Sequence, residues 1–407
     1  MQTRLRVFVV VALVLLTSCT TVPTVESASY TQTQLPDETA SQGSGDITSI
    51  FPPIEEWDSF KLPVFVDPAR NNDSTALSPN GKQNIQTVWD LFRNNLSLAY
   101  NPDSPRIHKE LKRYTQHPEY LHKVTRRAEP YLYHITRSLQ KASLPVELVA
   151  LPIVESAYIA SATSRHGAGG LWQFIRSTAG KYGLKRNWWY DGRRDPLAAT
   201  EAAISYLKQL NHEFHGDWLL ALAAYNAGET TIHRALERNR RKGLPEDYWH
   251  LRLPGETMRY VPRFLAVVSI LENPEIYGIK LHPIHPSSYF ETITVSGRTS
   301  LVRLAKSLNI APDLVLKMNA GLLRGITPPG KTSRVLLPIE SAARYQAIKA
   351  EIADKIEVAS LTHRVRRGET LSHIARHYGI PIIRIKASNK LHGDLIRPGQ
   401  KLQIPDS

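Results

Sequence analysis

Apolar residues recur at helical spacing through most of the chain. Ile85, Val88, Trp89, Phe92 and Leu96 fall at i, i+3, i+4, i+7 and i+11, one face of a helix that begins near Lys82. A second stripe, Leu121, Val124, Ala128, Leu132, Ile135 and Leu139, repeats the spacing, and Pro130 within it should bend or split that helix. Pro145 fits a first helical turn and opens a run through Glu147, Leu148, Val149, Leu151, Ile153 and Val154. Pro152 interrupts its hydrogen bonding late, so the helix should end near Glu155 or Ser156. Asp195-Pro196 reads as the N-cap and first residue of a helix with Ala199, Ala203, Leu207 and Leu210 turned inward. Asp217 caps the small-residue run that closes at Gly228, and a last helix opens at Glu256 and continues to Leu271.

After Pro286 the pattern changes and repeats. At an offset of 70 residues Val295 pairs with Val365, Leu301 with Leu371, Ala305 with Ala375, Ile310 with Ile380 and Asn319 with Asn389. The two copies end in Leu337-Pro338 and Ile404-Pro405. Each copy reads strand, helix, helix, strand. Between them, 339–361 carries Ala342, Tyr345, Ile348, Ile352 and Ile356 at helical spacing and reads as a helical linker. The fold class is therefore mainly α, a helical body followed by small α+β modules of βααβ order. The expected segments are 1–18, 19–80, 81–140 and 141–280 for leader, tether and two parts of the body, then 290–338, 339–361 and 362–406.

The leader has the form of an export signal: Arg4 and Arg6, then an apolar core over 7–16 too short to span a bilayer, then small residues. The one cysteine follows in Leu16-Thr17-Ser18-Cys19, which resembles a bacterial lipobox. The resemblance implies cleavage before Cys19, lipidation there and attachment to the cell envelope, with Thr20 after the cysteine favouring the outer membrane. An ordinary cleaved signal with an incidental cysteine is the other reading. From Thr20 to about Asn80 the chain is rich in Thr, Ser, Gln, Pro and Asp, a composition that buries too little surface to offset its ordering entropy.

Charge narrows the partners. The chain carries 51 Lys and Arg against 37 Asp and Glu. Residues 1–80 are net −5, 81–280 net +9 and 281–407 net +10. A basic body attracts polyanions, nucleic acid among them. No basic run is interleaved with aromatics and no zinc spacing occurs, so nucleic acid is not expected as a partner.

One acid stands out. Glu155 ends an apolar run just before a glycine-rich stretch, Gly167, Gly169 and Gly170, and Leu171-Trp172-Gln173. Apolar neighbours and the negative end of a helix dipole both favour a neutral carboxyl, which is what a general acid needs. The alternative is a structural carboxylate paired with Arg165 or Arg176. Glu147, in a first turn, sits where an anion is stabilised.

Five ordered motifs decide between these. Glu155-Ser156, Ser164, Gly170-Leu171-Trp172-Gln173, Ala224-Tyr225-Asn226-Ala227-Gly228, and Glu256 with Tyr260 together resemble the soluble-lytic-transglycosylase-like family over about 91–273. The departures are Trp172, where the family often has Met, and Thr230-Thr231, where a Gly is common; both bear on substrate fit. The resemblance implies a helical, lysozyme-like fold close to goose-type lysozyme, with Glu155 as lone acid/base. Ser164, Gln173, Tyr225, Asn226, Glu256 and Tyr260 would line the cleft. It implies cleavage of the β-1,4 bond between N-acetylmuramic acid and N-acetylglucosamine in peptidoglycan, with a 1,6-anhydro product and neither metal nor cofactor. The second repeat resembles a LysM module, which binds N-acetylglucosamine-containing glycans. By that analogy its groove uses Gly368, Glu369, Thr370 and Leu371 and the turn at Ile396, Pro398 and Gly399. The first repeat reads as a degenerate LysM. A hydrolytic lysozyme and a non-catalytic murein-binding scaffold remain as competitors.

Overall fold

A capping box sets the entry into the helical body. Asp90 accepts the Thr87 N–H at 2.7 Å while the Thr87 hydroxyl accepts the Asp90 N–H, so two donors at the helix start find partners. The computed structural model describes residues 85–405 apart from 331 and 359. The expected export signal, Cys19 and the tether to residue 80 lie outside the described residues. Helix α1 is only Val88–Arg93. Ile85 is exposed and Leu96 lies past the helix end. The helix stops early because the Asn95 side chain donates to the Leu91 carbonyl, taking the acceptor that its own N–H would use in a continuing helix.

Helix α2 (Pro105–Thr115) leads into α3 (Pro118–Lys141), and here the expectation of a split fails: α3 runs unbroken through Pro130. Its apolar stripe is buried on both sides of the proline, and that packing outweighs one missing hydrogen bond. The next segment also differs. Val146–Ala150 is a 3-10 turn and α4 spans only Leu151–Ser156, so Pro152 starts a helix, where no bond is lost, instead of interrupting one. Ala157 and Tyr158 follow with φ of 49° and 60°, left-handed values that turn the chain sharply behind Glu155.

The rest of the body is α5 (Arg176–Lys181), α6 (Pro196–Glu213), α7 (Trp218–Ala227), α8 (Glu229–Arg240) and α9 (Gly255–Glu272). Asp195 accepts the N–H groups of Leu197 and Ala198, and Asp217 those of Leu219 and Leu220, the caps their positions imply. From Tyr260 to Leu271 helix α9 is buried almost all round, and it touches α1, α2, α4 and α7. It is the axis against which the others pack.

Two βααβ modules follow. Strand β1 (Phe290–Val295) pairs antiparallel with β2 (Ser333–Pro338), and α10 (Leu301–Ser307) and α11 (Pro312–Met318) lie between them in sequence. Helix α12 (Ile339–Ile356) is more than a linker: Ala342, Tyr345, Ile352 and Ile356 belong to the same apolar core as Ile293, Leu304 and Val335. The second module has β3 (Ser360–Arg364) and β4 (Lys401–Pro405) around α13 (Leu371–Tyr378) and α14 (Ile382–Ser388). The repeated asparagine has a common task. Asn319 exchanges two hydrogen bonds with the Leu336 backbone and Asn389 does the same with Gln403, each side chain standing in for a neighbouring strand.

One loop joins the body to both modules. Between α5 and α6, the Asp191 N–H donates to the Gly321 carbonyl and the Trp189 carbonyl accepts the Leu323 N–H. The Trp189 indole donates to the Tyr378 carbonyl and its ring is buried in the second module's core. Arg324 lies 3.4 Å above the Trp188 ring, a cation–π contact.

Candidate active site

Glu155 occupies the last turn of α4, half-buried, and the Tyr260 hydroxyl of α9 donates to its Oε1 at 2.5 Å. Burial pushes its carboxyl up to about 7. The Tyr260 hydrogen bond and the nearby Arg263 charge oppose that rise, while the Glu256 carboxylate adds to it. Among the described residues no ion pair joins Glu155 to Arg165 or Arg176, so the structural alternative is not the arrangement found. A carboxyl held near neutrality can both give and accept a proton at physiological pH.

The loop 162–174 packs against the residue that follows Glu155 and against α7. Ser156 places its hydroxyl 2.9 Å from the Leu171 carbonyl, and the Tyr225 hydroxyl donates to the Trp172 carbonyl at 2.7 Å. Trp172 itself points away from the cleft into the core and donates to Thr200, which explains why a large indole is accommodated there. Gln173 is held at φ 47° and its amide donates to the Gly170 carbonyl. Tyr225 lies close enough to Glu155 for that carboxylate to help raise its phenol, after burial. Asn226 accepts the Thr257 hydroxyl at 2.8 Å, linking α7 to α9.

Of the six expected cleft residues, Tyr260 touches Glu155 and the charges of Tyr225 and Glu256 couple to it, while Gln173 follows the residue whose carbonyl Tyr225 binds and Asn226 is bonded to Thr257 beside Glu256. Ser164 is different. It is exposed and its hydroxyl accepts the Ala168 N–H, closing its own turn. Asp195 and Asp217 are engaged as caps, and Asp195 also accepts the Tyr190 hydroxyl at 2.7 Å.

In the second module, Gly368 and Gly399 adopt φ of 85° and 88°, values that favour glycine. The Gly399 N–H donates to the Val365 carbonyl, which brings the turn with Ile396 and Pro398 to the same end as the Gly368 loop. Glu369 accepts the Arg366 N–H and a hydrogen bond with His363, and Thr370 caps α13. Leu371 must be corrected: its side chain is 2% exposed and packs in the module's core with Ile374 and Tyr378, so it offers no surface to a ligand.

Sequence reasoning missed Arg193, which reaches the 162–174 loop from the segment before α6, and Asp191, which pairs with it. The available signal was the adjacent Gly169-Gly170, since neighbouring glycines mark a place where another backbone approaches closely.

Residues 133–246 match the Transglycosylase SLT domain family, so the helical body is a catalytic unit of the lytic transglycosylase class. Residues 363–405 match the LysM domain and 289–354 the family described as "Lytic transglycosylase MltD, LysM-like domain". Membrane-bound lytic murein transglycosylase D of Escherichia coli K12 is 36% identical over 343 residues, 82% of this chain and 75% of that protein. The chain belongs to the membrane-bound lytic murein transglycosylase D family. A putative soluble lytic murein transglycosylase of Haemophilus influenzae is 31% identical over 140 residues, 32% of this chain and 23% of that protein. Among solved structures, an inactive mutant of the lytic transglycosylase Slt of Pseudomonas aeruginosa covers 37% of this chain and 25% of its own, at 24% identity and a TM-score of 0.28.

Proposed function

We propose that the chain cleaves the β-1,4 bond between N-acetylmuramic acid and N-acetylglucosamine in murein without water, leaving 1,6-anhydro-N-acetylmuramic acid ends. The observation that carries this is Glu155: one half-buried carboxyl with a pKa near 7, bonded to a phenol, with the aspartates of the neighbouring helices engaged as caps. Most glycoside hydrolases need two carboxylates flanking the bond, and substrate-assisted cleavage needs one. Glu155 protonates the glycosidic oxygen as the C1–O bond breaks, and the substrate's N-acetyl group supports the electron-poor C1. The C6 hydroxyl then attacks C1, and the Glu155 carboxylate takes its proton. The proton given equals the proton recovered, so the acid is reset without water.

Tyr260 holds the Glu155 carboxyl in place, and Gln173, Tyr225, Asn226, Glu256 and Ser164 position the sugar. The LysM modules hold the enzyme on the polymer, which raises local substrate concentration without a new contact in the cleft. The lipobox-like stretch supports export and anchoring of Cys19 in the outer membrane, facing the periplasm; incorporation of labelled palmitate that persists in Cys19→Ser would refute it. Glu155→Gln tests the catalytic reading: it should abolish release of soluble muropeptides while leaving sedimentation with murein intact. Retained cleavage would remove Glu155 from its role.

A further inference from the structure

The loop that walls the cleft is held from behind by one buried guanidinium. Arg193 is 4% exposed. Its Nε and Nη2 donate to the two oxygens of Asp191 at 3.0 and 2.7 Å, a bidentate pair that fixes the plane of the fork. Its Nη1 then donates to the Gly167 carbonyl at 2.7 Å and to the Phe174 carbonyl at 3.2 Å. Those two carbonyls bracket the segment that carries Leu171, Trp172 and Gln173.

The glycines of that segment are shaped to this clamp. A Cβ on Gly169 would lie 3.2 Å from the Arg193 guanidinium carbon, and a Cβ on Gly170 would lie 1.6 Å from the Arg193 carbonyl oxygen. Gly170 also has φ of 81°. The front of the same segment meets the site: Ser156, next to Glu155, contacts the Leu171 carbonyl, and Tyr225 binds the Trp172 carbonyl. The strained φ at Gln173 persists only where its surroundings over-determine it, and Arg193 supplies the rear half of those surroundings.

We propose that Arg193, oriented by Asp191, is a positioning residue for the cleavage reaction: it sets the height of the 167–174 loop, and so of Gln173, against Glu155. The inference rests on the transglycosylase reading and deepens it. Arg193 does not touch Glu155 and is absent from the charges that shift its proton affinity, so it acts on geometry and leaves the acid's titration alone. Lysine keeps the charge but lacks the fork that pairs Asp191 and still reaches two carbonyls. A displacement of about 1 Å at a catalytic wall costs up to roughly a hundredfold in rate.

The test is steady-state cleavage of a soluble murein glycan oligomer by full-length parent, Arg193→Lys and Arg193→Met, with the folded fraction measured by circular dichroism. Per folded molecule, kcat/KM should fall at least about tenfold in Arg193→Met and less in Arg193→Lys. The pH midpoint should stay at the parent value, and the products should remain anhydro-ended. Kinetics within twofold of the parent, a loss that tracks only the folded fraction, or a moved pH midpoint would overturn the proposal. If Arg193→Met does not fold, Arg193→Lys decides alone by the same criteria. Reducing-end products from the parent would instead sink the transglycosylase reading and leave the clamp to be judged by kinetics.

Discussion

Glu147 and Glu155 stand in one apolar stretch and have opposite surroundings. Glu147 is fully buried, and its Oε1 accepts the N–H groups of Ser97 and Leu98, both at 2.6 Å. It fastens the segment after α1 to the body. Glu155 is only half-buried and receives a single phenol. The comparison teaches that apolar company is common to a structural carboxyl and to the one proposed to react. What separates them is access: the Glu147 oxygen that takes no bond is buried, whereas Glu155 is partly exposed, and a carboxyl that must give and recover a proton needs an oxygen the substrate can reach.

Three experiments strain that contrast, the largest effect first. Glu155→Gln should lower cleavage by about a thousandfold or more, the scale of a lost general acid combined with a lost base. Glu147→Ala should leave turnover per folded molecule within a few-fold and lower stability by about 3 kcal/mol, since two N–H groups lose a buried acceptor. Denaturant unfolding measures the second, and a catalytic collapse in folded Glu147→Ala would erase the distinction.

The third experiment is the pH profile. The acid must start protonated, so kcat/KM should fall about tenfold per unit above a midpoint near 7. Tyr260→Phe removes a bond that favours the anion and should move the midpoint up. Glu256→Gln removes a like charge and should move it down. Stability follows the same linkage. The folded pKa lies above the ordinary 4.5, so the folded state holds the proton more tightly than the unfolded chain. That contribution is present below about 4.5 and is lost as pH rises toward 7. Glu155→Gln should therefore be more stable than the parent above neutrality, by a few kcal/mol at most, with the gap closing in acid.

Much of the fold could be read locally. The caps at Asp195 and Asp217 and the closing glycine at 228 act within a few residues of themselves, so their types alone mark the helix ends. Proline was the poorer guide. Pro130 is carried inside α3 by packing, and Pro152 begins a helix, because the meaning of a proline depends on the turn it occupies. Among site residues, Glu155 stood out by its local setting, and Tyr225, Asn226 and Tyr260 were reached through a family resemblance. Their convergence is tertiary: the Tyr260 bond spans 105 residues. Arg193 escaped because its targets are two backbone carbonyls, and a carbonyl leaves no mark in the residue types. Trp188 and Trp189 carry no local sign of their partners, Arg324 and Tyr378, which lie in the C-terminal modules.

The central claim is that one carboxyl suffices because the substrate supplies its own nucleophile. The most direct measurement is the mass of the muropeptides that the parent protein releases from purified murein. Products lighter by one water than the hydrolysis products, with no reducing muramic acid end, are the predicted result. Full-mass products with reducing ends would contradict it, and would give a water and a second carboxylate, such as Glu256 beside Glu155, a part in the reaction that the account denies them.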